Sequence, residues 1–195
     1  MLMTEAEERL NQRLRPLRVP EYEALAAMGA FKDQKVELIR GRVVWMAPQG
    51  EDHAWAIEVL VRQLMDVFGH VANVRPQLPL RASDDSLPEP DFALTPLRTK
   101  KGPHPTTAYL LIEVAQSSLR DDRVVKAPLY AEGVAPEYWI VNVQERQLEV
   151  FRTPKDGQYT EHFVLGPRDT IRPVAFPDLE FPLAPLLGEG SDEQH

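Results

Sequence analysis

The sequence predicts a mixed β-sheet flanked by helices, an α/β or α+β layer structure built as a single domain. Three observations predict it. Short apolar runs bounded by glycine, proline and aspartate recur along the chain and read as strands. Residues 52–68 repeat apolar side chains at helical spacing, and residues 119–132 read as a second helix. The 195 residues suit one core of ordinary size, and neither an internal repeat nor a linker divides them.

Residues 1–19 are charged and expected to be loosely held ahead of a domain spanning residues 20–187. Residues 21–28 read as a short helix, with Pro20 before its first turn, glutamates in that turn and Gly29 as a stop. Arg40-Gly41 separates residues 36–39 from 42–46, a hairpin signal that makes Glu37 a strand residue among apolar neighbours. Asp52 begins the longest helix, whose expected apolar face is Trp55, Ile57, Leu60, Val61, Leu64, Val67 and Phe68, with Gly69 as its end. Residues 71–75 and 77–81 are strand candidates that Pro76 and Pro79 make irregular or push to an edge. After a turn at residues 83–86, Glu89-Pro90-Asp91 enters a strand that runs to Leu94, and residues 109–114 form the next. Ser117 and Ser118 offer an N-cap for residues 119–132, where Pro128 removes a hydrogen bond to Val124 and predicts a kink or a late start. Residues 138–143 and 148–151 read as a hairpin, and a turn at 154–157 leads to a strand over 159–164. The proline-punctuated stretch through Leu187 packs, and residues 188–195 read as a frayed tail.

Composition narrows the function. Hydrophobic residues make up 43% and charged residues 27%, the balance of a globular protein rather than a disordered one. The absence of cysteine excludes disulfides, thiolate zinc sites and a cysteine nucleophile, and suits a reducing cytoplasm. The start lacks a signal-peptide pattern and no apolar run is long enough to span a bilayer, so a soluble cytoplasmic protein without a membrane partner is expected. The net charge of −8 argues against a tight, sequence-independent coat on DNA, which relies on neutralising many phosphates. A nuclease stays compatible, since metal ions and a local basic rim offset bulk charge. Arg98, Lys100 and Lys101 lie between the two acidic strands, with Arg75 and Arg81 upstream. They read as a solvated loop or, from that position beside the acids, as phosphate contacts.

The chemistry concentrates between Pro90 and Lys126. Asp91 opens one apolar run and Glu113 sits near the end of another, and a buried carboxylate needs a partner, a proton or a metal. Two carboxylates about 4 Å apart repel by roughly 4 kcal/mol at an effective dielectric of 20, and a divalent cation reverses that sign. Two hard oxygen ligands, with the carbonyl of Val114 as a third, suit Mg²⁺ or Mn²⁺. Lys126 is placed on the following helix to orient water or to stabilise transition-state charge. Glu37 could complete the shell or help hold a second metal. Asp122, Lys126 and Tyr130 fall at i, i+4 and i+8 and share one helix face if Pro128 leaves the helix intact.

This ordered set resembles the PD-(D/E)xK nuclease superfamily and, within it, the Uma2 family, whose members carry the label of restriction endonucleases. The residues that carry the resemblance are 36–41, His53, 87–91, 112–115, 117–119, Asp122-Arg123, Lys126, Tyr130 and 133–141, and it extends over residues 19–187. It implies a restriction-endonuclease-like sheet and a metal-dependent endonuclease acting on nucleic acid, DNA first. Asp91 and Glu113 would be the metal ligands, Lys126 the catalytic cation, and Glu37, Asp122, Tyr130 and His53 supporting groups. One departure matters: the parent motif places lysine two residues after the glutamate, and this chain has Ala115 there. The resemblance moves that lysine to Lys126.

Structural roles compete with each assignment. Lys126 could only neutralise the acids, Glu37 could be an exposed edge residue, and His53 could be a cap or packing residue. Glu89 reads as a solvated loop acid and Ser117 as a cap. Two rival functions follow, a nuclease-fold binding or regulatory protein without turnover and a metal-dependent hydrolase of small phosphoesters. A homodimer is compatible with cutting both strands of a duplex.

Overall fold

The computed structural model describes Arg9, residues 13–46 and residues 48–188. Most of the expected N-terminal extension and the tail beyond Gly188 lie outside the described residues. Helix α1 (Val19–Ala27) begins earlier than the sequence predicts, because Pro20 sits inside its first turn, where a missing N–H costs nothing. The Arg18 amide donates to Glu21 Oε2 at 2.9 Å and closes that end.

Strands β1 (Val36–Ile39) and β2 (Arg42–Trp45) form the expected antiparallel hairpin. Arg40 (φ 48°) and Gly41 (φ 72°) are both left-handed, as a two-residue turn matching the twist of its strands requires. Gly41 is also the point of closest approach: a Cβ there would lie 2.1 Å from Cβ of Pro16. The Leu17 amide donates to the Gly41 carbonyl at 3.0 Å, which holds the chain before α1 against the hairpin.

Helix α2 (Glu51–Phe68) buries His53, Ala56, Val59, Leu60, Leu64 and Phe68. Trp55 and Val61, expected on the apolar face, are exposed. Leu60, Leu64 and Phe68 are buried as expected, and the stripe reaches the helix start through Ala56 and His53 instead of Trp55.

The main sheet has six strands in sequence order: β3 (Asn73–Pro76), β4 (Phe92–Thr95), β5 (Leu110–Ala115), β6 (Glu137–Asn142), β7 (Gln147–Lys155) and β8 (Gln158–Leu165). All neighbours are antiparallel except β5 and β6, which run parallel. Parallel pairing needs a crossover, supplied by α3 (Leu119–Asp121), a π-helical turn (Asp122–Lys126) and α4 (Ala127–Ala131) in direct succession. The π turn is the physical answer to Pro128. Proline has no amide for the Val124 carbonyl, and the Ala127 amide instead donates back to the Asp122 carbonyl. The segment therefore stays helical instead of breaking.

Residues 77–81 form no strand. Gln77 is left-handed (φ 46°) and turns the chain away, while its amide donates to the Asp91 carbonyl at 3.0 Å. A two-stranded ribbon of β9 (Thr170–Ile171) and β10 (Phe181–Pro182), followed by α5 (Ala184–Leu187), closes one side of the core.

Alternation along the strands sorts the two faces. Phe92, Leu94, Leu110, Ile112, Val114, Trp139 and Val141 pack with α2, Phe181 and Leu183. Ala93, Leu111, Ala115, Tyr138 and Ile140 pack on the opposite face with Ala127, Leu129 and Tyr130 of the crossover. Asp91 and Glu113 have the parity of this second face. Among the described residues no helix is long and apolar enough to cross a membrane.

Candidate functional site

The pairing of β4 with β5 places Phe92 opposite Ile112, so Asp91 and Glu113 meet at one end of the sheet on the crossover face. Backbone amides hold both. Val114 N–H donates to Asp91 Oδ2 at 2.8 Å, and Asp91 N–H approaches Glu113 Oε2 at 3.4 Å. Gln77 Nε2 donates to Asp91 Oδ1 at 3.2 Å.

The crossover brings the cation. Lys126 Nζ lies 3.0 Å from Glu113 Oε1, 3.5 Å from Glu37 Oε1 and 3.8 Å from Asp122 Oδ1. Tyr130 donates its hydroxyl to the same Glu113 oxygen at 2.9 Å, with its ring set edge-on against Tyr138. Asp122 is fixed by the Ser118 hydroxyl at 2.7 Å, and Glu37 Oε2 accepts the Glu89 amide at 3.1 Å. Despite the π turn, Asp122, Lys126 and Tyr130 present one face to Glu113. The chain thus brings together Asp91, Glu113, Lys126, Glu37, Asp122, Tyr130 and His53, every candidate side chain read from the sequence.

His53, in the first turn of α2, approaches from the other side of the sheet end. Its Nδ1 lies 3.0 Å from the Val114 carbonyl, which can only accept, so Nδ1 carries a proton there. Nε2 then points at the acids, buried and 3.3 Å from Asp91 Oδ1, its one close partner among the described residues. Nε2 in its unprotonated form, Asp91 Oδ1, Glu113 Oε2 and the remaining lone pair of the Val114 carbonyl are donors of the type a divalent cation takes, and by type they fit one. A metal-binding imidazole commonly donates its other N–H to a backbone carbonyl, as here. Among the described residues, no three His, Asp or Glu side chains stand close enough to form a ready-made metal shell. Repulsion among the carboxylates and the pull of Lys126 and Tyr130 on Glu113 oppose closer assembly.

Four carboxylates, Glu37, Asp91, Glu113 and Asp122, are buried beside one ammonium. Burial pushes Glu113 well above the usual carboxylate range; Lys126 opposes the rise, and Asp122, Asp91 and Glu37 add to it. Asp122 rises chiefly from burial too, against Lys126 and Ser118. Burial would also raise Asp91, but neighbouring His53, the Val114 amide and Gln77 outweigh it and hold Asp91 low. Burial would lower His53, yet the Asp91 carboxylate and the Val114 carbonyl bring it above the usual imidazole value. Lys126 loses to burial and gains more from Glu113, Glu37 and Asp122, so it stays an ammonium at any working pH.

Three expectations need correction. Glu89 is not a solvated loop acid; it is half-buried on the pocket wall, and burial, then Glu37, raises its pKa. Ser118 occupies the N-cap position of α3 but spends its hydroxyl on Asp122 rather than on the helix end. Arg98, Lys100 and Lys101 are not beside the acids. Asp91 lies at the start of β4 and Glu113 near the end of β5, so the connecting loop sits at the far end of both strands, about 13 Å away at 3.3 Å per residue. Gln77 was missed, because a glutamine after a proline-bearing strand reads as more strand until its left-handed backbone is seen.

Comparison with known proteins agrees with this architecture. A nuclease, described as "putative" and belonging to DUF820, from Anabaena variabilis ATCC 29413 superposes with a TM-score of 0.68 at 18% identity, over 88% of this chain and 98% of that one. At that identity the likeness shows the shared fold. The type IIG restriction endonuclease BpuSI aligns over 55% of this chain and 12% of its own, at 14% identity and a TM-score of 0.38. No curated protein matches the sequence. The family Uma2, described as "Putative restriction endonuclease", matches residues 19–184. With that match over most of its length, this chain belongs to the Uma2 family.

Proposed function

We propose that this protein is a metal-dependent endonuclease that hydrolyses phosphodiester bonds of nucleic acid, DNA in the first place, using Mg²⁺ or Mn²⁺. One observation carries the reading: Lys126 of the crossover reaches Glu113 at 3.0 Å, the lysine–acid approach that Ala115 could not make. Asp91, Glu113, the Val114 carbonyl and His53 Nε2 would hold the cation, with Glu37 as a further carboxylate at the Lys126 side. When bound there, the cation would supply polarisation of a phosphoryl oxygen and a lowered pKa for water at the site. Lys126 cannot serve as a base, being held protonated. It orients the attacking water and stabilises negative charge developing on phosphorus-bound oxygens. Tyr130 and Asp122 position Glu113 and Lys126. A two-fold dimer would pair two such sites for cutting both strands.

Metal binding tests the ligand set apart from turnover. Calorimetric titration with Mn²⁺ is expected to show one or two sites in the wild type and none in Asp91→Asn. His53→Ala is expected to weaken Mn²⁺ by about tenfold or more, and Mg²⁺ by less, since a nitrogen donor favours the softer ion. Wild-type affinity for Mn²⁺ in folded His53→Ala would return His53 to a packing role.

A further inference from the structure

A second groove opens beside the acidic pocket. It has a volume of about 500 Å³ and is lined by Ile39, Arg42, Val44, Trp45 and Val125, with Glu37 and Lys126 shared between it and the acidic pocket. Trp45 is 71% exposed at the end of β2, and the next residue, Met46, lines the acidic pocket. A tryptophan left in water on a rigid hairpin forgoes a large burial energy, so its ring is available to something else. The charged lining is mixed, with Arg40 and Arg42 set against Asp121 and Glu37, and Arg40 pairs with Glu132 at 2.8 Å.

We propose that this groove is a subsite for an unpaired nucleobase of the substrate strand, with Trp45 as the stacking platform. The proposal rests on the nuclease reading and deepens it, because it names the substrate class. A strand whose scissile phosphate sits at Glu113 and Lys126 continues past Glu37 into the groove, since Glu37 and Lys126 border the two spaces. In a duplex each base already has both ring faces stacked. Only an unpaired base, in a single strand, a splayed end or a flap, offers a free face to Trp45. Stacking of this kind is tolerant of sequence, as every base has a ring face.

The test is fluorescence anisotropy of a labelled single-stranded oligonucleotide and of a blunt duplex, at low salt with Ca²⁺ in place of Mg²⁺ so that binding is read without cleavage. Trp45→Ala is expected to weaken single-strand binding about 5- to 100-fold and to leave duplex binding unchanged. Trp45→Phe, which keeps a ring, should recover most of the loss. Trp55→Ala removes another exposed tryptophan, on α2 and outside the groove's lining, and should change nothing. Because Trp45 is exposed, its removal leaves the core intact, and unaltered melting curves confirm that. Equal single-strand binding by wild type and Trp45→Ala overturns the subsite, as does an equal loss on the duplex. The two readings fail separately. Trp45-dependent strand binding without cleavage in Mg²⁺ or Mn²⁺ removes the nuclease reading and keeps the subsite. Metal-dependent cleavage indifferent to Trp45 does the reverse.

Discussion

Glu113→Gln is expected to abolish cleavage, by a factor of about 10³ or more, and at the same time to raise the melting temperature of the metal-free protein. The two effects share a cause. Glu113 is buried beside Asp122, Asp91 and Glu37, and burial with those charges raises its pKa in the folded state. A carboxyl whose folded pKa lies above its unfolded value contributes no penalty below the unfolded pKa, near 4.3. Its penalty then grows as pH rises toward the folded pKa. At neutral pH the wild type therefore carries a destabilising group, and glutamine, of the same shape and still able to accept from Tyr130, removes it. Gains from relieving functional strain of this kind are about 0.5–2 kcal/mol, which is about 1–8 °C at this chain length. The gain should vanish below about pH 4, where both states of Glu113 are protonated. Thermal melts at pH 7 and pH 4 with EDTA check it; a lower melting temperature for the variant at pH 7 would show that Glu113 is chiefly a structural ion-pair partner of Lys126.

Lys126→Ala is expected to act in the opposite sense and to cost more. It leaves the buried carboxylates of Glu113, Glu37 and Asp122 without their shared cation, and removing one partner of a buried charge pair costs about 3–5 kcal/mol. At about 2–4 °C per kcal/mol the melting temperature should fall by about 6–20 °C. The deficit should shrink in acid, as the carboxyls take up protons. Lys126→Arg separates the charge from the chemistry. It restores most of the stability, yet should remain about 10²-fold slower in cleavage, because a planar guanidinium cannot occupy the place of a compact ammonium. Wild-type turnover in Lys126→Arg would make the residue a structural counter-ion only.

The layer architecture and the three central residues are legible in the sequence because their signals are local. An acid at the mouth of an apolar strand, as Asp91, or inside one, as Glu113, is costly enough to be conspicuous before any coordinates are known. A lysine four residues after Asp122 is conspicuous in the same way. His53 is less legible: a histidine in a first helical turn reads as a cap, and only the Val114 carbonyl across the sheet end fixes its Nδ1 proton and aims Nε2 at Asp91. Gln77 and Glu89 join the pocket through tertiary turns that leave no period in the sequence. The basic loop misleads for a topological reason. Its neighbours in sequence are the acidic strands, but an antiparallel pair puts the connecting loop at the end away from Asp91 and Glu113. Pro128 misleads too, since a π turn absorbs what would otherwise be a break.

The most direct measurement is plasmid cleavage at low salt in Mg²⁺ and in Mn²⁺, by matched preparations of the wild type and Glu113→Gln. A metal-dependent nuclease centred on Asp91, Glu113 and Lys126 gives nicked or linear plasmid with the wild type alone, and EDTA stops it. Equal cutting by the two preparations, or cutting that survives EDTA, contradicts that site.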